Sequence, residues 1–450
     1  MKAGIALRSA AVALLVCSAL YLSCRIWLWD RLTDLGVEPL PRISQALEDA
    51  GFPGLAFFLS PEEDSPSEVS QNLNLIIPSQ AAVLTASGPL ALPDEESRAQ
   101  MLARALPLLS QVLSNASFCE QIYDMDVWQQ ALRETNALYF DFGSILSDTV
   151  YAEFFAADGY ARGEAGAFRQ AVLFSTDSAT VLLARGGNRL YRYSLLGVTG
   201  VRALASTLIS SQNPLSASFY GQQGSYSGYL MGYRAALPVL TAGNGNWTNR
   251  DVFQALYYNA YNLRYYTDSD GTQVFVENNG SIRIAEGGRI SFTAAQGSQG
   301  LPISKLLSGT SAKEESFGTQ LAAANLLAQR LNESFGGQQT LRLTSVLSQE
   351  DTRAVTFSYT PAVEGIFIAN ASGIRITVRD AGISLVEAST VSYTNSDGKT
   401  APLTDEAELK YLFLSSGLDQ AEPTLQYMPD TATGLLYGYA VLEVWEEAVS

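Results

Sequence analysis

The stretch "LRYYTDSDGTQVFVENNGSIRIAEGGRISFTA", residues 263–294, decides the fold because it holds four short β-rich runs separated by turns. Apolar and polar residues alternate within "TQVFVE", "SIRIA" and "RISFTA", as they do in half-buried strands. The pairs Asp270-Gly271, Asn279-Gly280 and Gly287-Gly288 separate the runs, and such pairs accept the positive φ of tight hairpins. The stretch therefore predicts a β-meander.

A calcium-binding loop is the alternative for the first of these turns. Such a loop needs oxygen ligands at alternate positions, then a glycine and a later glutamate. Counting from Asp268 puts Asp270 third, but it puts Thr272 fifth and Gln273 where the glycine must stand. The spacing does not fit, so we predict no metal site and no cofactor here.

The regions on either side of the meander predict further helices and strands. "NRDVFQALYYNAYNL" (249–263) predicts a helix before it, with Phe253, Leu256 and Tyr257 facing inward. A longer amphipathic helix is predicted over 311–337, with Ser311 and Glu314 as a capping box. Three strand-like runs, a short helix and a last strand at "GLLYGYAVLEVWE" complete the chain. This order predicts an α+β fold with mostly antiparallel sheets and a few packed helices.

The first half of the chain predicts a second set of β-rich runs. In "ALYFDFG" (137–143), Leu138, Phe140 and Phe142 should face one side of a strand and Tyr139 and Asp141 the other. Residues 170–196 predict another meander. The Gly/Tyr-rich segment 218–247 has no clear period, so we interpret it as a boundary or as an ordered loop over a sheet.

These patterns predict a multi-domain chain with an N-terminal anchor. The predicted parts are a cytoplasmic tip and transmembrane anchor, a linker, an N-terminal α+β domain, a central β-rich domain, a Gly/Tyr-rich connector and a C-terminal α+β domain. Their bounds are 1–29, 30–71, 72–150, 151–217, 218–247 and 248–450.

Composition excludes several classes of function. The 450 residues include no histidine, which removes Ser–His–Asp and Cys–His catalysis and the usual His-containing zinc sites. The only cysteines are Cys17, Cys24 and Cys119, too few for a disulfide framework. With 45 acidic against 28 basic residues, the net charge of −17 argues against binding nucleic acid.

The first 29 residues predict a single membrane-spanning helix. No charge lies between Arg8 and Arg25, and the apolar run continues to Trp29, which gives about the 20 residues needed to span a bilayer. Arg8 and Arg25, with Trp27 and Trp29, suit the two membrane interfaces. The basic residues before the run predict a cytoplasmic N-terminus and an extracytoplasmic remainder in the cell membrane. A cleaved signal peptide and a lipoprotein cut before Cys24 are the alternatives.

The predicted anchor has a face of small residues. Ser9, Ala13 and Cys17 recur at four-residue spacing, so a second helix can approach closely there. We predict that these residues contact a partner helix. The alternative is that small residues are simply common in membrane helices.

Fragments that match catalytic motifs lack the context that those motifs need. Ser396 and Lys399 have the Ser-x-x-Lys spacing of penicillin-recognising enzymes, but no Ser-Asp-Asn element exists and the nucleophile should open a helix. Cys119 is interpreted as a buried free thiol rather than a reactive one. We therefore predict that the protein is not an enzyme and has no catalytic residues.

The predicted membrane helix, the acidic exterior and two sequence runs resemble the YycH and YycI regulators of low-GC Gram-positive bacteria. "YYTDSDGTQVFVENNGSIRI" (265–284) is similar to their C-terminal domain, and "VWQQALRETNALYFDFGSIL" (127–146) is similar to a helix and strand of the YycH N-terminal domain. The length and layout are closer to YycH. The resemblance implies a regulator of a WalK (YycG)-like sensor histidine kinase that works by protein–protein contacts and pairs with a YycI-like protein.

Two other functions remain open from the sequence. One is an extracytoplasmic binding module for cell-wall fragments or peptides, which calls for a deep cleft lined with aromatic and carboxylate groups. The other is an enzyme acting on cell-wall polymer, which needs two carboxylates facing each other across a groove.

Overall fold

The structure is a computed structural model, and the residues that it describes belong to the unit Ser67–Ser450. They are residues 73–115, 119–157, 166–198, 200–222, 225–234, 236–258, 263–307, 316–336, 339–371, 373–403, 408–409, 411 and 421–444. Within these ranges, every helix is too short or too polar to span a bilayer. The predicted anchor (1–29) and linker (30–71) lie outside them.

The first half of the unit forms an eight-stranded antiparallel sheet with the order β3-β7-β6-β5-β4-β1-β2-β8. The strands are β1 (Gln80–Thr85), β2 (Gly88–Ala91), β3 (Cys119–Ile122), β4 (Ala137–Ser147), β5 (Ala167–Ser175), β6 (Ala179–Gly186), β7 (Arg189–Leu196) and β8 (Leu215–Ser216). Strands from predicted segments 72–150 and 151–217 thus share one sheet. The domain bounds stay a prediction.

Both faces of this sheet are covered. Leu138, Phe140 and Phe142 of β4 pack into the largest apolar cluster, whereas Tyr139 packs on the opposite face beside Trp128. The predicted alternation along β4 is confirmed. The helices of this half are α1 (Glu95–Asn115), α2 (Asp126–Ala131), α3 (Asp148–Phe154) and α4 (Val201–Gln212).

Most of the Gly/Tyr-rich segment is strand rather than loop, since residues 236–244 join a second sheet and the residues before them form a β-hairpin. Its strands β9 (Ser218–Gln222) and β10 (Ser225–Met231) pair with each other. Leu230 packs into the apolar cluster of Trp128 and Tyr139 on the first sheet. Its neighbour Tyr229 packs into a different apolar cluster, which includes Tyr427. The period of two was hidden because the hairpin buries both faces, so neither face needs to be polar.

The second sheet has fourteen strands. Its longest path is β12-β13-β14-β15-β21-β20-β18-β19-β23-β24-β11-β22, with β16 beside β21 and β17 beside β18. The strands are β11 (Ala236–Asn244), β12 (Arg264–Thr267), β13 (Gln273–Glu277), β14 (Gly280–Ile284), β15 (Arg289–Ala294), β16 (Leu301–Pro302), β17 (Thr340–Gln349), β18 (Ala354–Val363), β19 (Ile366–Ile368), β20 (Ile374–Arg379), β21 (Gly382–Ser389), β22 (Val391–Pro402), β23 (Ala421–Pro429) and β24 (Leu435–Val444).

Among the described strand pairs only β19–β23 is parallel, so the predicted α+β class with mostly antiparallel sheets is confirmed. The meander predicted over residues 263–294 is confirmed as β12 to β15, each paired with the next. The turn that resembled a calcium loop is the β12–β13 connection, where Gly271 has φ +85° and the Thr272 N–H donates to Asp270 Oδ1. In the described chain no cluster of three or more acidic or cysteine side chains could hold a metal ion.

One of the three predicted glycine turns works differently. Gly271 and Gly288 have positive φ, as expected. Gly280 instead begins β14, where a Cβ would lie 2.5 Å from the Thr293 carbonyl oxygen and 2.6 Å from the Phe292 ring. Glycine is needed there for close approach of the neighbouring strand, not for an unusual backbone angle.

Three helices cover one face of the second sheet: α5 (Asn249–Ala255), α6 (Ile303–Leu306) and α7 (Phe317–Phe335). The prediction of a helix over 249–263 was wrong in length, because α5 ends at Ala255 and Tyr257 adopts φ 55°. Helix α7 begins after Ser316, whose hydroxyl accepts from the Thr319 N–H. The predicted capping box at Ser311 and Glu314 lies outside the described residues.

Buried arginines join the two sheets. Arg98 of α1 is fully buried and donates to the carbonyl oxygens of Pro78 (2.9 Å), Pro93 (2.9 Å) and Glu364 (2.5 Å). Arg342 of β17 donates to Glu95 Oε1 at 2.7 Å. Burial, reinforced by the charge of Arg234, lowers the pKa of Arg98 to about 10.

Candidate partner-binding groove

The second sheet has one open face, and β20 illustrates why. Ile374, Ile376 and Val378 point into the core, so the alternate residues Arg375, Thr377 and Arg379 lie on the other side. No described helix covers this side. The open face therefore presents polar side chains at every second position.

The neighbouring strands continue the same surface. Thr377 lies opposite Thr356 of β18, with their hydroxyl oxygens 2.9 Å apart, and opposite the half-buried Leu385 of β21. Thr356 in turn lies opposite Leu347 of β17, whose side chain is 61% exposed. Arg375 lies opposite Ser358 and Glu387.

These strands and the loop after β15 line an open groove with a volume of about 1040 Å³. The loop includes Gly297 with φ +78° and a turn in which the Ser298 N–H donates to the Ala295 carbonyl. Gly300 permits the loop to rejoin the sheet, since a Cβ there would lie 2.1 Å from the Ile383 carbonyl oxygen. Serine, threonine, glutamine and arginine dominate the lining.

The groove presents two guanidinium groups, and one of them forms an ion pair. Arg375 pairs with the exposed Glu387, at 3.1 Å between NH1 and Oε2. Arg379 is exposed and forms no ion pair or side-chain hydrogen bond with any residue that the structure describes. Asp380 is the one carboxylate among the lining residues, and none of them is aromatic.

Other arginines lie on the same face beyond the groove. The strand registers put Arg264, Arg283 and Arg289 on the side of Thr377 and Arg375. Arg283 pairs with Asp268 of the first turn. The strand positions of this face thus carry several arginines in a chain that is acidic as a whole.

The two buried carboxylates of the first half, Asp141 and Asp148, accept hydrogen bonds within the core. Asp141 accepts from Arg169, from the Gly143 N–H at 2.8 Å and from Gln170 Nε2 at 3.3 Å. Asp148 accepts from the Gly166 N–H at 2.9 Å and from the Tyr193 hydroxyl at 3.0 Å. Neither carboxylate lies in the groove.

The predicted site residues lie outside the part of the chain that the structure describes. Ser9, Ala13 and Cys17, and the interface residues Arg8, Arg25, Trp27 and Trp29, lie outside the described residues, so their roles stay predictions. Cys119 was expected to be buried but is exposed, because β3 is an edge strand. Ser396 lies in β22 and does not open a helix.

The groove was missed from the sequence although a signal was present. Arg375, Thr377 and Arg379 alternate with Ile374, Ile376 and Val378, which marks one face of β20 as solvent-exposed. What the alternation does not reveal is that residues from β15 and β17 lie on the same surface.

Together, two mostly antiparallel sheets, a hairpin packed against both and helices on one face of the second sheet define an α+β protein with one open sheet face. The fold is that of YycH: the crystal structure of YycH from Bacillus subtilis superimposes with a TM-score of 0.53, covering 84% of this chain and 95% of that chain at 11% sequence identity. The predicted resemblance is thus confirmed at the level of the fold. No protein-family model and no curated protein matches the sequence.

Proposed function

We propose that this chain is a membrane-anchored extracytoplasmic regulator of a sensor histidine kinase that acts through protein–protein contacts. The observation that carries the proposal is the fold, which coincides with that of YycH over 84% of this chain. The expected partners are a WalK (YycG)-like kinase and a YycI-like protein. Among the described residues, the open face of the second sheet is the candidate surface for such contacts.

The regulator would act by coupling its own binding to the signalling state of the kinase. If the regulator binds one signalling state of the kinase more tightly than the other, it shifts the population toward that state. Such a shift requires differential contacts and no chemistry in the regulator itself. The contacts can lie in the predicted anchor, in the extracytoplasmic part or in both.

A crosslinking capture in membranes tests the proposal. The full-length protein is compared with a variant whose residues 1–29 are replaced by an unrelated anchor. Capture of a histidine kinase by the native form alone supports a contact through the predicted membrane helix. Capture by both forms supports a contact through the rest of the chain, and capture by neither contradicts the proposal.

The predicted helix contact has a matched control. Replacing Ser9, Ala13 and Cys17 with isoleucine should abolish capture, because bulky side chains prevent close approach of helices. Ala11→Ile and Ser18→Ile add similar bulk about half a turn away on a regular helix and should leave capture intact. Unchanged kinase output in the triple variant would contradict the helix contact.

An extracytoplasmic binding module is the second candidate. The groove of about 1040 Å³ supports this candidate because it offers space for a ligand. Its lining of hydroxyl, amide and guanidinium groups differs from the aromatic and carboxylate lining expected for cell-wall fragments. A peptide is therefore the better ligand class for this candidate.

A further inference from the structure

The groove on the second sheet has features that identify the chemistry of an occupant. We propose that it binds an extended peptide segment of a partner protein in which two acidic residues, four positions apart, flank a central apolar residue. This inference rests on the proposed role in protein contact and names the chemistry of the contact.

The spacing of charge on β20 is the first argument. Arg375 and Arg379 are four residues apart on one strand, so their Cα atoms are separated by about 13 Å. Residues i and i+4 of an extended peptide project from one face at the same separation. A peptide lying along β20 therefore places two carboxylates over the two guanidinium groups.

The second argument is that the guanidinium groups of Arg375 and Arg379 are accessible to a carboxylate from a partner. Arg379 has no ion-pair partner among the described residues, and the side chain of Arg375 is 59% exposed despite its pairing with Glu387. A carboxylate from outside can therefore reach both groups without breaking a buried interaction. Charge-assisted hydrogen bonds to guanidinium are the stronger class of hydrogen bond.

The apolar side chains in the groove favour a peptide over a phosphate polymer as its ligand. Leu385 lies directly opposite Thr377, between the two arginine positions, and Leu347 is exposed farther across the groove. An apolar side chain at the middle of the peptide would contact Leu385. A polymer of phosphate groups has nothing to bury there.

The test uses the purified full-length protein and the fluorescein-labelled peptide Glu-Ser-Leu-Ser-Glu, capped at its C-terminus, followed by fluorescence anisotropy. We expect saturable binding that weakens with added salt. Arg379→Ala and Arg375→Ala should each weaken binding roughly tenfold, the loss of one charge-assisted hydrogen bond. Arg379→Lys should retain most of the affinity.

Matched controls separate this site from general electrostatics. Arg202→Ala removes an exposed arginine of α4, far in sequence from the groove, and should leave the affinity unchanged. A peptide with glutamine in place of both glutamates should not bind, and one with serine in place of leucine should bind more weakly. The Tm of each variant should equal that of the parent, because both groove arginines are exposed.

Several results would overturn the inference. Equal binding of the glutamine peptide, or equal losses from Arg202→Ala and Arg379→Ala, would remove the specific role of the groove. Binding of linear polyphosphate without binding of the peptide would assign the groove to a phosphate ligand. The assay contains no kinase, so its failure is distinguishable from failure to capture a kinase.

Discussion

Arg98 of α1 donates from NH2 to the main-chain carbonyl of Glu364 at 2.5 Å, although the two residues are 266 positions apart in the sequence. Glu364 and Gly365 both have positive φ and form the turn between β18 and β19. A Cβ on Gly365 would lie 2.9 Å from Arg98 NH2. The arginine of the first half thus holds the turn of a hairpin in the second half.

Removing this arginine should loosen the junction of the two sheets. We expect Arg98→Leu to lower the free energy of unfolding by about 3 kcal/mol or more, because buried carbonyls of Pro78, Pro93 and Glu364 lose their donors. Chemical denaturation followed by tryptophan fluorescence measures the change. Arg104→Leu on the exposed side of α1 is the control and should cost less than about 1 kcal/mol. Equal losses in both variants would contradict a structural role for the junction.

The buried pair of Asp141 and Arg169 gives a second prediction. Its two hydrogen bonds measure 2.7 and 2.9 Å, and the side chains are 1% and 4% exposed. Asp141→Asn should cost about 3–5 kcal/mol, since it leaves a buried arginine without its counter-charge. The double variant Asp141→Leu with Arg169→Met should recover much of the loss. Additive losses in the double variant would show that the two side chains act independently.

Two glycines of the connector separate backbone strain from packing. Gly228 and Gly232 both have φ +82°, but a Cβ would meet Gln170 Oε1 at 2.8 Å at the first and nothing within 4 Å at the second. Gly232→Ala should cost about 1–2 kcal/mol from the left-handed backbone alone. Gly228→Ala should cost about 1–3 kcal/mol more, because the buried amide group of Gln170 must shift and its hydrogen bond to Asp141 is disturbed. Equal thermal stability of the two variants would contradict close packing at Gly228.

Alkaline pH should destabilise the protein through its buried tyrosines. Burial raises the pKa of Tyr151, Tyr229 and Tyr359 above 10. Above pH 10 the unfolded state loses these protons while the folded state keeps them, so the free energy of unfolding falls as pH rises. Burial also lowers the pKa of Arg98, to about 10, and the pKa values of Arg330 and Arg342, and these shifts act in the opposite direction. The tyrosines dominate because burial raises the pKa of three more of them, Tyr258, Tyr393 and Tyr427.

The alkaline prediction is checked by following tyrosinate absorbance and far-ultraviolet circular dichroism in one pH titration. We expect part of the tyrosinate signal to emerge only together with the loss of secondary structure. Complete tyrosine ionisation in a protein that keeps its secondary structure would contradict it. The variant Tyr359→Phe lacks one of these ionisable hydroxyl groups. It also lacks the hydrogen bond that this hydroxyl donates to Asn325 Oδ1 at 2.7 Å.

Local patterns in the sequence determined most of the individual elements. Alternation predicted β12 to β15 and the two faces of β4, and the amphipathic pattern of residues 311–337 predicted the long helix α7. These predictions succeeded because one face of each element is buried and its period is visible in a single segment. The length of α5 was mispredicted because Tyr257 takes a left-handed conformation that its apolar neighbours do not reveal.

The tertiary structure alone decided which elements meet. The hairpin β9–β10 lies between two apolar clusters, where Gly228 packs against Gln170 and its buried tyrosines share a cluster with Tyr427. These contacts explain its glycines and tyrosines, and they produce no polar–apolar alternation. The groove likewise depends on strands from residues 289–294, 340–349 and 374–379 joining one sheet, in which β21 and β18 lie between them. Sequence determines elements through short-range periodicity, whereas the groove and the Arg98–Glu364 contact depend on pairings between residues far apart in the chain, which no local pattern encodes.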